Sequence, residues 1–97
     1  MRIRITGSAE DDLLNGYHFY ERQQRDLGEY FLDGLYADID ALLVFAGIHP
    51  KPFGTHYRAL AKRFPFAVYY DVHEEVVTVV AVLDCRQNPA TIQGRIG

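Results

Sequence analysis

The segment VVTVVAVL, Val76 to Leu83, is β-branched and apolar on both of its faces, with Thr78 the one interruption. Such a run reads as a strand buried from two sides. It is far too short to span a bilayer. A chain that contains it must build a sheet around it.

The flanking residues supply that sheet. In FPFAVYYDV, Phe66, Val68 and Tyr70 alternate with Ala67, Tyr69 and Asp71, the period of a strand. Pro65 stands at its start, where no ladder hydrogen bond is lost. HEE, residues 73–75, reads as a tight turn into the Val-rich strand. DCRQNP ends that strand, with Asn88-Pro89 as the stop signal. Upstream, HYRAL predicts a short strand with Lys62 and Arg63 in the turn after it. At the N-terminus RIRI, residues 2–5, alternates and predicts another short strand.

Between these strands the period changes. Ser8 and Asp11 have the spacing of a capping box, and acids follow where a helix N-terminus favours them. A helix is predicted from about Ala9 to Arg25, with Ala9, Leu13, Gly16, Tyr17 and Tyr20 on one face. Gly28 interrupts. A second helix carries Phe31, Leu35, Ile39, Leu42 and Ala46 on one face. Gly47 is placed as its C-cap, and Pro50 and Pro52 prevent continuation. Two helices joined by a short break form an antiparallel hairpin.

The predicted order is therefore β-α-α-β-β-β. The fold class is α+β, with the helical hairpin on one face of a small, mainly antiparallel sheet. The opposite face has no evident cover and is either solvated or used. The tail ATIQGRIG carries no clear signal; a short edge strand and a mobile end are both open. At 97 residues the chain has the size of one domain.

Net charge is -3, unevenly placed. Residues 1–50 hold four arginines against nine acids; residues 51–97 hold six cations against four acids. No acid occurs between Lys51 and Arg63. Asymmetry of this kind points to a polar partner on one side or to a solvated surface.

Most familiar chemistries find no support. His18, His49, His56 and His73 are scattered, and Cys85 is the one cysteine, so no metal site or cofactor is expected. A single cysteine makes no internal disulfide and suits a reduced cytosol. The N-terminus lacks the apolar stretch of a secretory signal, and no membrane association is expected. Cys85 reads as an inert small hydrophobe, and Asp84 as paired with Arg86 or another cation, or solvated, in preference to a general base.

The remaining candidates are basic. Arg58 lies mid-strand, Lys62 and Arg63 at a turn, and Arg86 just past the buried strand. Joined on the uncovered face, they would make a basic surface for phosphate or for an acidic protein segment. Alternatively, their stems cover the aromatics and cap the sheet edge. Leu14, Phe19, Tyr36 and Val44 fall outside the inward stripes of the helices. They are either the margin of a wide core face or the contact surface of a partner.

The stretch YRALAKRFPFAVYYDVHEEVVTVVAVLDCRQNP resembles the RelE/ParE superfamily of toxins from type II toxin–antitoxin systems, also called plasmid stabilisation proteins. The marks are Arg58 before KRFPFAVYY, the turn, the Val-rich strand, and the polar end at Arg86 and Pro89. The link GIHPKPFG and the element order agree as well. The resemblance implies a cytoplasmic toxin neutralised by a cognate antitoxin whose tail folds onto it, laying a helix along the hairpin and adding a strand to the sheet. Leu14, Phe19, Tyr36 and Val44 are then the antitoxin-binding candidates.

Two activities divide the superfamily. RelE-like members cut ribosome-bound mRNA; ParE-like members poison DNA gyrase. The frequent H-x-x-R-x-P ending of the superfamily reads DCRQNP here, with Asp84 at the His position and Gln87 at the second Arg position. Ala67 stands where the nucleases often carry arginine, and no tyrosine follows Asn88. A nuclease needs cations and an acid–base group at that place. The resemblance therefore implies a ParE-like gyrase inhibitor, not an enzyme, with Arg58, Lys62, Arg63, Asp84 and Arg86 as target-contact candidates. The alternatives are a RelE-like mRNA endonuclease using Arg58, Lys62 and Arg86, and a non-toxic member that only binds antitoxin.

Overall fold

The doubly apolar strand takes an inner position in a four-stranded sheet. The computed structural model describes residues 1–96. Its elements are β1 (Arg2–Ile5), α1 (Gly7–Gln23), α2 (Leu27–Asp40), α3 (Leu42–Phe45), β2 (Tyr57–Leu60), β3 (Phe66–His73), β4 (Val76–Asp84) and α4 (Pro89–Ile96). The sheet order is β1-β4-β3-β2. β1 runs parallel to β4, and the other pairs are antiparallel. The fold is thus α+β with a mixed sheet. The HEE turn closes on Glu74 and Glu75 at φ 48° and 67°, the left-handed pair that a two-residue hairpin requires.

One face of the sheet carries α1 and α2. Ala9, Leu13 and Tyr20 of α1, and Phe31, Leu35 and Ile39 of α2, pack on Val68, Tyr70, Val77, Val79 and Val82. The rings of Tyr20, Phe31, Phe64 and Phe66 form one cluster, with neighbouring centroids as close as 4.5 Å. Such pairs add to simple area burial.

Three boundaries differ from the sequence expectation. Thr6, not Ser8, caps α1: its Oγ1 accepts the Ala9 N–H at 3.2 Å. The Thr6 N–H donates to the Val79 carbonyl at 3.0 Å, so sheet pairing sets where the strand ends and the helix begins. The hairpin break falls at Asp26, which is left-handed at φ 68°, not at Gly28. Glu21 fastens this turn by accepting the N–H groups of Asp26 and Gly28 at 3.1 and 3.0 Å. The second helix is divided near Ala41 into α2 and α3, and Gly47 follows at φ 94°.

The opposite face, expected to be solvated or used, is covered in part: α4 lies over β3 and the end of β4, while Arg2 and Arg4 of β1 stay exposed on that side. Residues 90–96 of the tail belong to α4 and form no edge strand, and Gly97 lies outside the described residues. Ile92 and Ile96, four residues apart, share one helix face and seal Ala67, Tyr69, Ala81 and Leu83. Asn88 starts α4 by accepting the Ala90 N–H at 2.8 Å, and Pro89 fits the first helical position.

Polar fasteners hold α4 down. Arg95 donates to Asp12 of α1 through both terminal nitrogens, at 2.7 and 2.8 Å. Asp12 is buried and also accepts the Val82 N–H at 3.0 Å. β1 has ended by this level, so the carboxylate replaces the missing strand at the β4 edge. At the other end, His56 Nε2 lies 2.9 Å from the Ile96 carbonyl, and its Nδ1 lies 2.6 Å from Asp71. Among the described residues no helix is long and apolar enough to cross a membrane.

Candidate functional site

Strand register decides which candidate cations share a surface. Residues directly opposite in neighbouring strands project to the same face. Asp84 pairs with Phe66, and Val82 with Val68, so Asp84 lies on the hairpin side. Arg58 pairs with Tyr69, which pairs with Ala81, so Arg58 lies on the α4 side. The expected joining of Arg58 and Arg86 on an uncovered face is therefore not found.

Asp84 and Arg86 do come together. Arg86 Nε donates to Asp84 Oδ1 at 2.9 Å and its Nη2 to Oδ2 at 2.6 Å, a two-pronged pair. The Arg86 backbone N–H adds a third bond at 2.8 Å. The Arg86 hydrogen bonds hold the Asp84 carboxyl below its ordinary value, and the carboxylate pushes Arg86 still higher. Arg86 is thus a cation already neutralised at short range. It is largely exposed, so the pair itself adds little stability.

The turn cations are placed separately. Arg63 lies over the Tyr30 ring, 4.2 Å from its centroid, and donates to the Tyr30 carbonyl at 3.2 Å. Its stem fills the space beside Gly34. Lys62 is exposed, and its backbone N–H donates to Asp38 at 3.2 Å. Arg58 is half-buried, and its Nε is buried without a hydrogen-bond partner among the described residues. Cys85 stands at the exposed strand end. Desolvation pushes its thiol up, outweighing the opposing fields of Arg58 and Arg86, which disfavours the nucleophilic thiolate. No three His, Cys, Asp or Glu side chains converge as a metal site among the described residues.

The four apolar candidates are all exposed: Leu14 at 52%, Phe19 at 45%, Tyr36 at 42% and Val44 at 77%. They do not form one surface. Leu14, Tyr36 and Val44 lie on the solvent side of the hairpin. Phe19 lines a cleft of about 330 Å³ between α1, the end of β4 and α4, with Asn15, Asp84, Gln87 and Arg95. A second groove of about 300 Å³ runs beside edge strand β2, walled by Leu42, Phe45, Ile48 and Leu60.

Sequence reasoning missed two polar clusters. Asp12 falls within the inward stripe of α1, between Ala9 and Gly16; a carboxylate in that stripe was the available signal. The other cluster has no short-range signal. Tyr70, fully buried, accepts the Gly47 N–H at 2.9 Å, which leaves its own proton for Nδ1 of His49. Burial lowers the His49 pKa, so folding favours the neutral ring. The unfolded chain then binds the proton more readily, and stability falls as pH drops below the ordinary histidine value of about 6.5. Urea midpoints measured from neutral pH down to about pH 5.5 should show this loss. The difference between the parent and His49→Gln should shrink as pH falls, because the glutamine does not titrate.

A strand, a helical hairpin and a three-strand antiparallel run closing on a parallel N-terminal strand define the RelE/ParE-like class of small α+β proteins. A solved structure described as the chromosomal ParDE TA system from P. aeruginosa is similar in fold. It has a TM-score of 0.77 at 16% identity, over 84% of this chain and 92% of that one. The family described as the ParE toxin of the type II toxin–antitoxin system, parDE, matches residues 3–89. The chain belongs to the ParE toxin family. No curated protein sequence matches it significantly.

Proposed function

We propose that this ParE-family toxin acts in the cytoplasm by binding DNA gyrase, without catalysis of its own, and that its antitoxin docks on the helical hairpin. The observation that carries the target reading is the distribution of cations. Stabilising the transition state of phosphodiester cleavage needs several uncompensated donors converging on one phosphate. Here Arg86 is tied to Asp84 on the hairpin side, Arg58 lies across the sheet, and Arg63 is spent on Tyr30. Separated charged groups of this kind serve better for recognising a protein surface. Arg58, Lys62, Arg63, Asp84 and Arg86 remain the proposed target contacts, and Leu14, Tyr36 and Val44 the proposed antitoxin contacts. Phe19 belongs to a neighbouring cleft that the same antitoxin would have to reach separately.

The test uses purified toxin free of antitoxin. Supercoiling by gyrase should stop at near-stoichiometric toxin, while transcripts in a translating extract stay intact. Unimpeded supercoiling would sink the reading. Transcript cleavage lost in Arg86→Ala would establish the endonuclease in its place, and harmless expression would mark a non-toxic antitoxin binder.

A further inference from the structure

The hairpin surface carries charge as well as exposed apolar side chains. The segment from α1 to α3 holds nine acids and two arginines. Gly16 lies against Phe31, and Gly28 against Tyr17, so the helices are antiparallel and the start of α1 runs beside the end of α2. This brings Asp11 and Leu14 to the level of Asp33 and Tyr36, with Asp40 and Val44 beyond. Glu29, Asp33, Tyr36 and Asp40 follow one another along α2 at helical spacing, and all are exposed. None of Glu10, Asp11, Glu29, Asp33 and Asp40 forms an ion pair among the described residues. The two arginines lie at the opposite end of the hairpin, Arg22 in the last turn of α1 and Arg25 in the turn that follows. Exposed apolar side chains thus stand among carboxylates that make no ion pair, of which Asp11 alone lies in the field of Arg95.

We infer that the segment occupying this face is a basic amphipathic helix of the antitoxin, with apolar residues on Leu14, Tyr36 and Val44 and Lys or Arg toward Asp11, Asp33 and Asp40. The inference rests on the proposed docking of the antitoxin at the hairpin. An acidic segment would meet like charges among these side chains, which costs affinity. A second copy of this chain would bring two acidic hairpins together, so self-association through this face is disfavoured for the same reason.

The probe is the whole cognate antitoxin, titrated against toxin variants whose folding is checked by thermal melting. All substitutions are at exposed positions. Parent affinity should weaken about tenfold from about 50 mM to about 300 mM NaCl, because exposed charge pairs are screened. Asp33→Lys with Asp40→Lys should weaken binding by roughly tenfold or more and remove most of that salt dependence. Val44→Ser should weaken binding and leave the salt dependence in place. If Val44→Ser and Tyr36→Ala both bind as the parent does, the docking surface itself is wrong. If they weaken binding while the charge reversal has no effect or tightens it, docking stands and the basic helix is overturned.

Discussion

Replacing Asp12 with alanine is expected to lower stability by about 3 kcal/mol and to loosen α4 from the sheet. The carboxylate serves two unlike groups: the Val82 N–H of the β4 edge and both terminal nitrogens of Arg95. Its removal leaves a buried backbone donor unpaired, which costs about 1–3 kcal/mol by itself. It also strips Arg95 of its counter-charge. Arg95 is 37% exposed, so it rehydrates in part, and the loss stays below that of a fully buried broken pair. For a chain of this length the melting temperature should fall by roughly 12–24 °C. Hydrogen exchange should rise first in α4, which is held by only two buried isoleucines and its polar fasteners. Asp12→Asn keeps an acceptor for Val82 and should lose less. Equal melting temperatures for the parent and Asp12→Ala would show that the Asp12 bonds add nothing to the isoleucines and His56 in holding α4.

Gly28→Ala should destabilise by about the same amount, roughly 3 kcal/mol, for a steric reason. A Cβ at this position would stand 2.6 Å from the Tyr17 carbonyl oxygen and 2.8 Å from its ring. A backbone oxygen cannot move aside as the end of a side chain can. The two helices would have to separate, disturbing the rings of Tyr20 and Phe31 beneath them. Alanine's better helix propensity, worth about 1 kcal/mol, offsets only part of this. Gly94→Ala is the control, because nothing lies within 4 Å of its added Cβ. It should be neutral or slightly stabilising in α4. Urea midpoints of the three proteins decide the matter; a Gly28→Ala midpoint equal to the parent's would mean that the helices already have room to part.

Much of the architecture could be read from the chain because it is encoded locally. The period of two in FAVYY, the unbroken apolar run of β4 and the 3.6-residue stripes through Leu13 and Phe31 each lie within one element. The stripe of α1 also held the sign of the Asp12 site, since a carboxylate among inward residues must find partners. What those partners are was not legible. Val82 and Arg95 lie 70 and 83 residues away, and no local pattern connects them. The His49–Tyr70 bond is hidden for the same reason.

The sequence by itself determined the strand-forming segments, the helical hairpin, the tight turn at Glu74-Glu75 and the ParE resemblance. Each is written in neighbouring residues or in spacing along one element. Only the tertiary structure decided that the tail is a helix over the second sheet face, because Ile92 and Ile96 are too short a pattern until a surface receives them. It alone decided that Arg58 and Arg86 are separated. Side chains alternate across a sheet, so a shift of one residue in register would move Arg58 to the other face, and register is set by the whole core.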